Sequence, residues 1–159
     1  MEEDRCPRGV ESMNIRTITI TSNTNEERRA THSVAQTHTL AKRLLKDLHG
    51  GDVLALSGEL GAGKTTFTQG IAAALGITKP ITSPTFVLMK IYKLPKPIHG
   101  IAQLCHIDCY RLGSSGELAA IGAGEYIGSG DTLTLIEWPE RVSSIIPGDA
   151  IRIIFQHGI

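Results

Sequence analysis

The 159-residue chain is one domain's worth of sequence, and with 41% hydrophobic and 20% charged residues it forms a core of ordinary size, which excludes wholesale disorder. Sixteen basic against sixteen acidic side chains leave a formal charge of zero, which excludes a broad electrostatic footprint for nucleic acid or an anionic membrane. No apolar run approaches the roughly 18 residues of a membrane helix, the start Met1-Glu2-Glu3-Asp4 is acidic where a signal peptide is basic, and Cys6, Cys105 and Cys109 have no framework spacing, so a cytoplasmic protein with no membrane role is expected.

Residues 1–12 lack periodicity and read as a flexible N-terminal extension to a domain spanning 13–159. Arg16 to Ser22 alternates β-branched residues and predicts a strand; Asn23 to Ala30 reads as a polar break. Ser33 and Gln36 stand three apart as a capping box before an amphipathic helix that carries Leu40, Ala41, Leu44, Leu45 and Leu48 and stops at Gly50-Gly51. Val53 to Ser57 is a continuous apolar run, the pattern of a strand buried on both faces. A glycine-rich turn follows, then a helix from Lys64 to Leu75 closed by Gly76. Thr78 to Thr85 is a loop, because Pro80 and Pro84 break any helix.

Phe86 to Tyr92 and Ile101 to Tyr110 predict two strands joined by a stretch holding Pro95, Pro97 and Gly100; with no helical room between them they pair antiparallel, so the sheet is mixed. A short helical patch covers Gly116 to Gly122. Thr132 to Ile136, closing on Glu137, and Ala150 to Gln156 are the last strands. The alternation of strands and helices predicts an α/β fold, a three-layer α/β/α sandwich on a mixed, mostly parallel sheet.

Gly58-Glu59-Leu60-Gly61-Ala62-Gly63-Lys64-Thr65 matches G-x-x-x-x-G-K-[ST], the P-loop or Walker A pattern, in the strand-turn-helix context the motif requires. Glycines allow close backbone approach, so that N–H groups at a helix's positive end converge on phosphate. Lys64 adds a full charge for the β- and γ-phosphates, and the Thr65 hydroxyl takes one position on Mg2+. ATP binding is therefore expected at Leu60, Gly61, Ala62, Gly63, Lys64, Thr65 and Thr66.

Such a site wants a carboxylate at the end of a neighbouring strand. Glu137 closes Leu133 to Ile136 in the form of a Walker B strand, and Asp108 closes the strand through Leu104 and Ile107. Glu137 is assigned to the metal with Thr65 and Asp108 to positioning or activating water, roles that the sequence allows to be exchanged. Thr85, in Thr82-Ser83-Pro84-Thr85-Phe86, is the expected hydroxyl sensor of the γ-phosphate. Cys105 and Cys109 point to one strand face and His106 to the other, which disfavours a zinc site and makes the thiols core residues. A local basic patch lies near Arg28, Arg29, Lys42, Arg43 and Lys46, a pattern more often found on a solvated helix face.

With these segments in place the chain resembles the TsaE (YjeE) family of P-loop ATPases. The likeness rests on the phosphate loop, Ser83-Pro84-Thr85-Phe86, His106-Ile107-Asp108-Cys109-Tyr110-Arg111-Leu112 and Leu135-Ile136-Glu137-Trp138-Pro139-Glu140, and covers Thr31 to about Pro147. The resemblance implies an ATP hydrolase with Mg2+, weak alone, needed to make threonylcarbamoyladenosine next to the tRNA anticodon. The TsaD and TsaB proteins would be its partners, with tRNA met only through that complex. It also implies Lys64, Asp108 and Thr85 as the catalytic group, and Thr65 and Glu137 on the metal. Ser33 would lie near the adenine, and Trp138 and Arg111 beside the pocket or a partner surface. Compared with the family, the chain has an extended N-terminal entry and stops one strand early, at Ile159. Two other readings compete: a nucleotide-gated binding module with incidental hydrolysis, and a small-molecule kinase. The kinase is disfavoured because Arg111 is the sole arginine between Thr66 and Glu137 and lids that clamp a transferred phosphoryl group carry several.

Overall fold

A computed structural model describes residues 15–82 and 88–158. Seven strands form one sheet: β1 (Arg16–Thr21), β2 (Glu26–Thr31), β3 (Val53–Gly58), β4 (Met89–Ile98), β5 (Ile101–Asp108), β6 (Thr132–Glu137) and β7 (Ile151–His157). Their spatial order is β2-β1-β7-β3-β6-β5-β4. The central strands β7, β3, β6 and β5 run parallel, and the outer pairings β2–β1, β1–β7 and β5–β4 are antiparallel. The sheet is therefore mixed, as the short β4–β5 connection requires.

Helices α1 (Val34–Leu45) and α2 (Lys64–Ala74) cover one face; α3 (Ser115–Ala120) and two 3-10 segments, Ala123–Glu125 and Pro139–Ile145, cover the other. Strand alternation builds both cores from the same segments. In β3, Leu54 and Leu56 join Leu40, Phe67, Ile71 and Phe155 under α1 and α2, while Val53 and Ala55 join Cys105, Ile107, Leu118 and Val142 on the opposite side. Burial on both faces explains why β3 reads as an unbroken apolar run and why every residue of β6, its threonines included, is buried. Cys105 and Cys109 are core thiols: burial pushes each up to about 12.

Helix α1 begins as its residues dictate. Ser33 Oγ accepts from the Gln36 N–H at 3.1 Å, and Gln36 Oε1 accepts from the His32 N–H at 2.7 Å. The reciprocal bonds satisfy two donors at the helix start.

Two segments differ from the sequence expectation. Glu26–Thr31, read as a polar break, is strand β2, pairing residue for residue with β1 from Arg16↔Thr31 to Thr21↔Glu26. It is an edge strand with only Thr31 buried, so it carries no apolar alternation to read. Strand β4 continues through Pro95 and Pro97 to Ile98, where a loop was expected, with its register shifting between Lys93 and Ile98. It too is an edge, where proline's missing N–H costs no ladder bond. Phe86, the expected start of this strand, lies outside the described residues. Among the described residues no helix is long and apolar enough to cross a membrane.

Candidate nucleotide site

Strand β3 ends at Gly58, and the chain turns through Gly61 (φ 77°) and Gly63 (φ 107°) into α2. Both φ values lie in the left-handed region that only glycine adopts cheaply. Gly63 caps α2 without any side-chain hydrogen bond, so the orphan N–H groups of the first turn stand at the mouth of a cavity of about 660 Å3. The same mouth carries the positive end of the helix dipole.

Lys64 enters this cavity with 5% of its surface exposed. Its ammonium donates to the Gly58 carbonyl and, at 3.1 Å, to the Glu59 carbonyl, and sits 4.6 Å from the centre of the Trp138 ring. Burial pulls its pKa below the usual lysine range; the carboxylates of Glu137, Glu140 and Asp108 oppose that shift. The cation is thus held by loop carbonyls, an aromatic face and three nearby carboxylates, all of which stabilise its charged form against burial.

The acidic wall comes from register. Strands β5 and β6 are parallel neighbours with Asp108 opposite Glu137, and Glu137 is also level with Leu56 of β3. Both carboxylates therefore end at the phosphate-loop end of the sheet, where ligands of open α/β sheets bind. Glu137 is 3% exposed, and its Oε2 accepts a 2.8 Å hydrogen bond from His106 Nε2. Asp108 is more open, and its Oδ1 accepts from the Tyr110 N–H at 2.9 Å.

Beyond Glu137 the chain reverses through Trp138 (φ 57°), a strained conformation for so large a residue, before Pro139 starts the next turn. Trp138 packs on Tyr110 with ring centres 5.0 Å apart.

The cavity brings together Ser33, Leu60, Gly61, Gly63, Lys64, Thr65, Thr66, Asp108, Arg111, Glu137 and Trp138. Ala62 is the exception: its methyl is buried in the core and its N–H is bonded to the Glu59 carbonyl at 3.1 Å. Thr85 lies outside the described residues. Sequence reasoning missed Arg16 of β1, whose stem passes about 4.0 Å from where a Gly63 side chain would begin, and also His32, Val34, Thr37 and Tyr110 on the cavity wall. It also missed His106 as the partner of Glu137. The antiparallel β1–β7 pairing that brings Arg16 to the loop has no local signal. In the basic patch, Arg29 and Arg43 both pair with Glu27.

A family model described as threonylcarbamoyl adenosine biosynthesis protein TsaE matches residues 31–158. The chain is 42% identical over 125 residues to the tRNA threonylcarbamoyladenosine biosynthesis protein TsaE of Treponema pallidum, covering 79% of this chain and 85% of the relative. It is 38% identical over 121 residues to the protein of the same name from Bacillus subtilis, covering 76% and 72%. Among solved structures it resembles Bacillus subtilis YdiB with a TM-score of 0.59 and 32% identity, over 88% of this chain and 76% of that one. The fold is a P-loop NTPase α/β/α sandwich.

Proposed function

The chain belongs to the TsaE family, which serves biosynthesis of threonylcarbamoyladenosine in tRNA, and from that membership we propose that it is a Mg2+-dependent ATPase working with the TsaD and TsaB proteins. The observation that carries this reading is the pairing of a buried Lys64 at a helix N-terminus with Asp108 and Glu137 in register across the cavity. One wall recognises phosphate; the other supplies oxygen ligands and a base. Tightly bound Mg2+ prefers a few hard oxygen donors plus water and phosphate oxygens, and Thr65 and Glu137 offer such donors. The metal would neutralise charge on the transferred phosphoryl group.

Each side chain then has a task. Lys64 would leave the Gly58 and Glu59 carbonyls for phosphate oxygens, to which the first-turn N–H groups of α2 also donate. Thr65 and Glu137 would hold the metal. Asp108, the more accessible carboxylate, would accept a proton from or orient the attacking water. Trp138 covers Lys64 and limits water there, and Thr85 is assigned to the γ-phosphate. Ser33 would border the adenine.

Steady-state ATP hydrolysis by this chain, alone and with a TsaD–TsaB pair, tests the proposal with Lys64→Ala as the blank. Stimulation that depends on the pair and disappears in the blank is expected. Firm ATP binding with no stimulated turnover would overturn it in favour of a nucleotide-gated binding module.

A further inference from the structure

His106 is fully buried in β5, yet among the described residues only one of its ring nitrogens has a partner. Nε2 lies 2.8 Å from Glu137 Oε2, while Nδ1 is buried with no hydrogen bond to any described residue. A contact this short between a ring nitrogen and a carboxyl oxygen needs one proton between them, and a carboxylate ionised to hold a metal leaves that proton on Nε2. A bare Nδ1 is then the cheaper orphan, because an unmatched buried N–H loses more than an unmatched acceptor. An apolar residue would fill this core position without leaving any orphan. The retained imidazole thus stands where its useful group is the Nε2–H aimed at Glu137.

Strand geometry explains why His106 can reach Glu137. His106 shares a strand face with Leu104, and Glu137 shares one with Leu135; both leucines belong to the core beneath α2. The parallel register puts His106 beside Leu135, two residues short of the Asp108–Glu137 level. The imidazole therefore meets Glu137 from inside the sheet while the carboxylate tip emerges into the cavity. One oxygen is taken from behind and the other is left to the site.

We propose that His106 is a positioning residue: by donating from Nε2 to Glu137 Oε2 it fixes the carboxylate so that Oε1 is presented to the nucleotide-bound Mg2+. The proposal rests on the reading of Glu137 as a metal ligand. Hydrogen bonds to a ligating carboxylate from outside the coordination sphere typically change metal affinity by about 10- to 100-fold when removed.

The test is ADP binding by the full chain, measured calorimetrically in EDTA and across a Mg2+ titration, so that no turnover is involved. For His106→Leu the Mg2+ concentration giving half-maximal enhancement should rise by about 10- to 100-fold, with the affinity in EDTA unchanged. His106→Gln, whose side-chain amide can put an N–H near the Nε2 position, should restore the wild-type midpoint to within a few-fold. In a Glu137→Gln background His106→Leu should add nothing further, because the carboxylate that the bond positions for the metal is already gone. If His106→Leu does not fold, His106→Asn, which moves the donor to the Nδ1 position, should show the same shift. An unchanged midpoint, equal shifts in Leu and Gln variants, or a full shift on top of Glu137→Gln would each overturn the proposal. A wild-type chain that binds ADP with no Mg2+ dependence would instead remove the metal reading itself, and the proposal with it.

Discussion

Asp108 and Glu137 sit at the same level of adjacent strands, but their surroundings divide their work. Glu137 is enclosed and tied to His106; Asp108 is partly open and bonded to a backbone N–H. Removing the Asp108 charge should therefore spare binding and cost chemistry. Asp108→Asn is expected to bind ATP with near wild-type affinity while hydrolysis falls by about 100-fold or more, the usual contribution of a general base; comparable losses in binding and turnover would contradict this division. A second prediction concerns the thiols. Burial raises Cys105 and Cys109 to about 12, three units above the ordinary 9.0, so their thiolate fraction at neutral pH is suppressed by about 10^3. In a Cys6→Ser background, a thiol reagent should label the native chain at a negligible rate and label two sulfurs after denaturation; rapid native labelling would show the core to be open. The phosphate loop was legible because its residues are contiguous and each type has one chemical reason to be there. His106 was not, since its partner is 31 residues away and alternation reveals a strand face but not which neighbour lies across it.

At the scale of elements, the legible ones bury an apolar pattern. Helix α1 was readable from Ser33, Gln36 and its leucines, β3 from its continuous apolar run, and β6 from the stretch Leu133 to Ile136 that closes on Glu137. Strands β2 and β4 were not, because an edge strand is held by its neighbour's backbone and can carry charges or prolines along its free side. What anchors β2 to the rest of the layer is polar. Thr31 and Thr37 share a buried 2.9 Å hydrogen bond, and Glu27 pairs with Arg29 on its own strand and Arg43 on α1. Hydrogen bonds from Arg29 and Arg43 hold the Glu27 carboxyl below its usual 4.5. A carboxyl lowered by folding stabilises the fold above its unfolded value, and that contribution disappears as pH falls from 4.5 through the lowered folded value. The three side chains are between 30% and 53% exposed, so solvent screens the cluster and it is worth less than about 1 kcal/mol. Glu27→Gln should lower the melting temperature slightly at pH 7, by about 2–4 °C at most, and the gap from wild type should narrow as pH falls below 4.5 and close once the folded carboxyl is protonated. A gap that persists unchanged in acid would mean that packing of the Glu27 stem, and not its charge, holds the edge.

The whole molecule keeps its stability and its site at opposite ends of one sheet. Strand β3 runs from Val53 to Gly58, about 20 Å at 3.3 Å per residue, and the nucleotide cavity lies only at its far end. At the near end three turns converge on Gly50. Its N–H donates to the His99 carbonyl at 3.1 Å, and the neighbouring Gly51 N–H donates to the Thr132 carbonyl at 2.9 Å. A Cβ at Gly50 would collide with the Gly130 carbonyl oxygen and come within 2.6 Å of that of Gly100. Both obstacles are backbone, which cannot rotate aside like a flexible side chain. Gly50→Ala is therefore expected to cost about 1–3 kcal/mol through forced shifts of the packed turns, lowering the melting temperature by several degrees. Sites this far apart with no shared partner are usually independent, so Mg2+-dependent ADP affinity should stay at the wild-type value at temperatures where the variant is folded. Melting curves and ADP titrations on the same preparation decide the matter. If affinity fell in step with melting temperature, the turns at the closed end would be coupled through the parallel strands to the phosphate loop, and the division between a stabilising end and a chemical end would not hold.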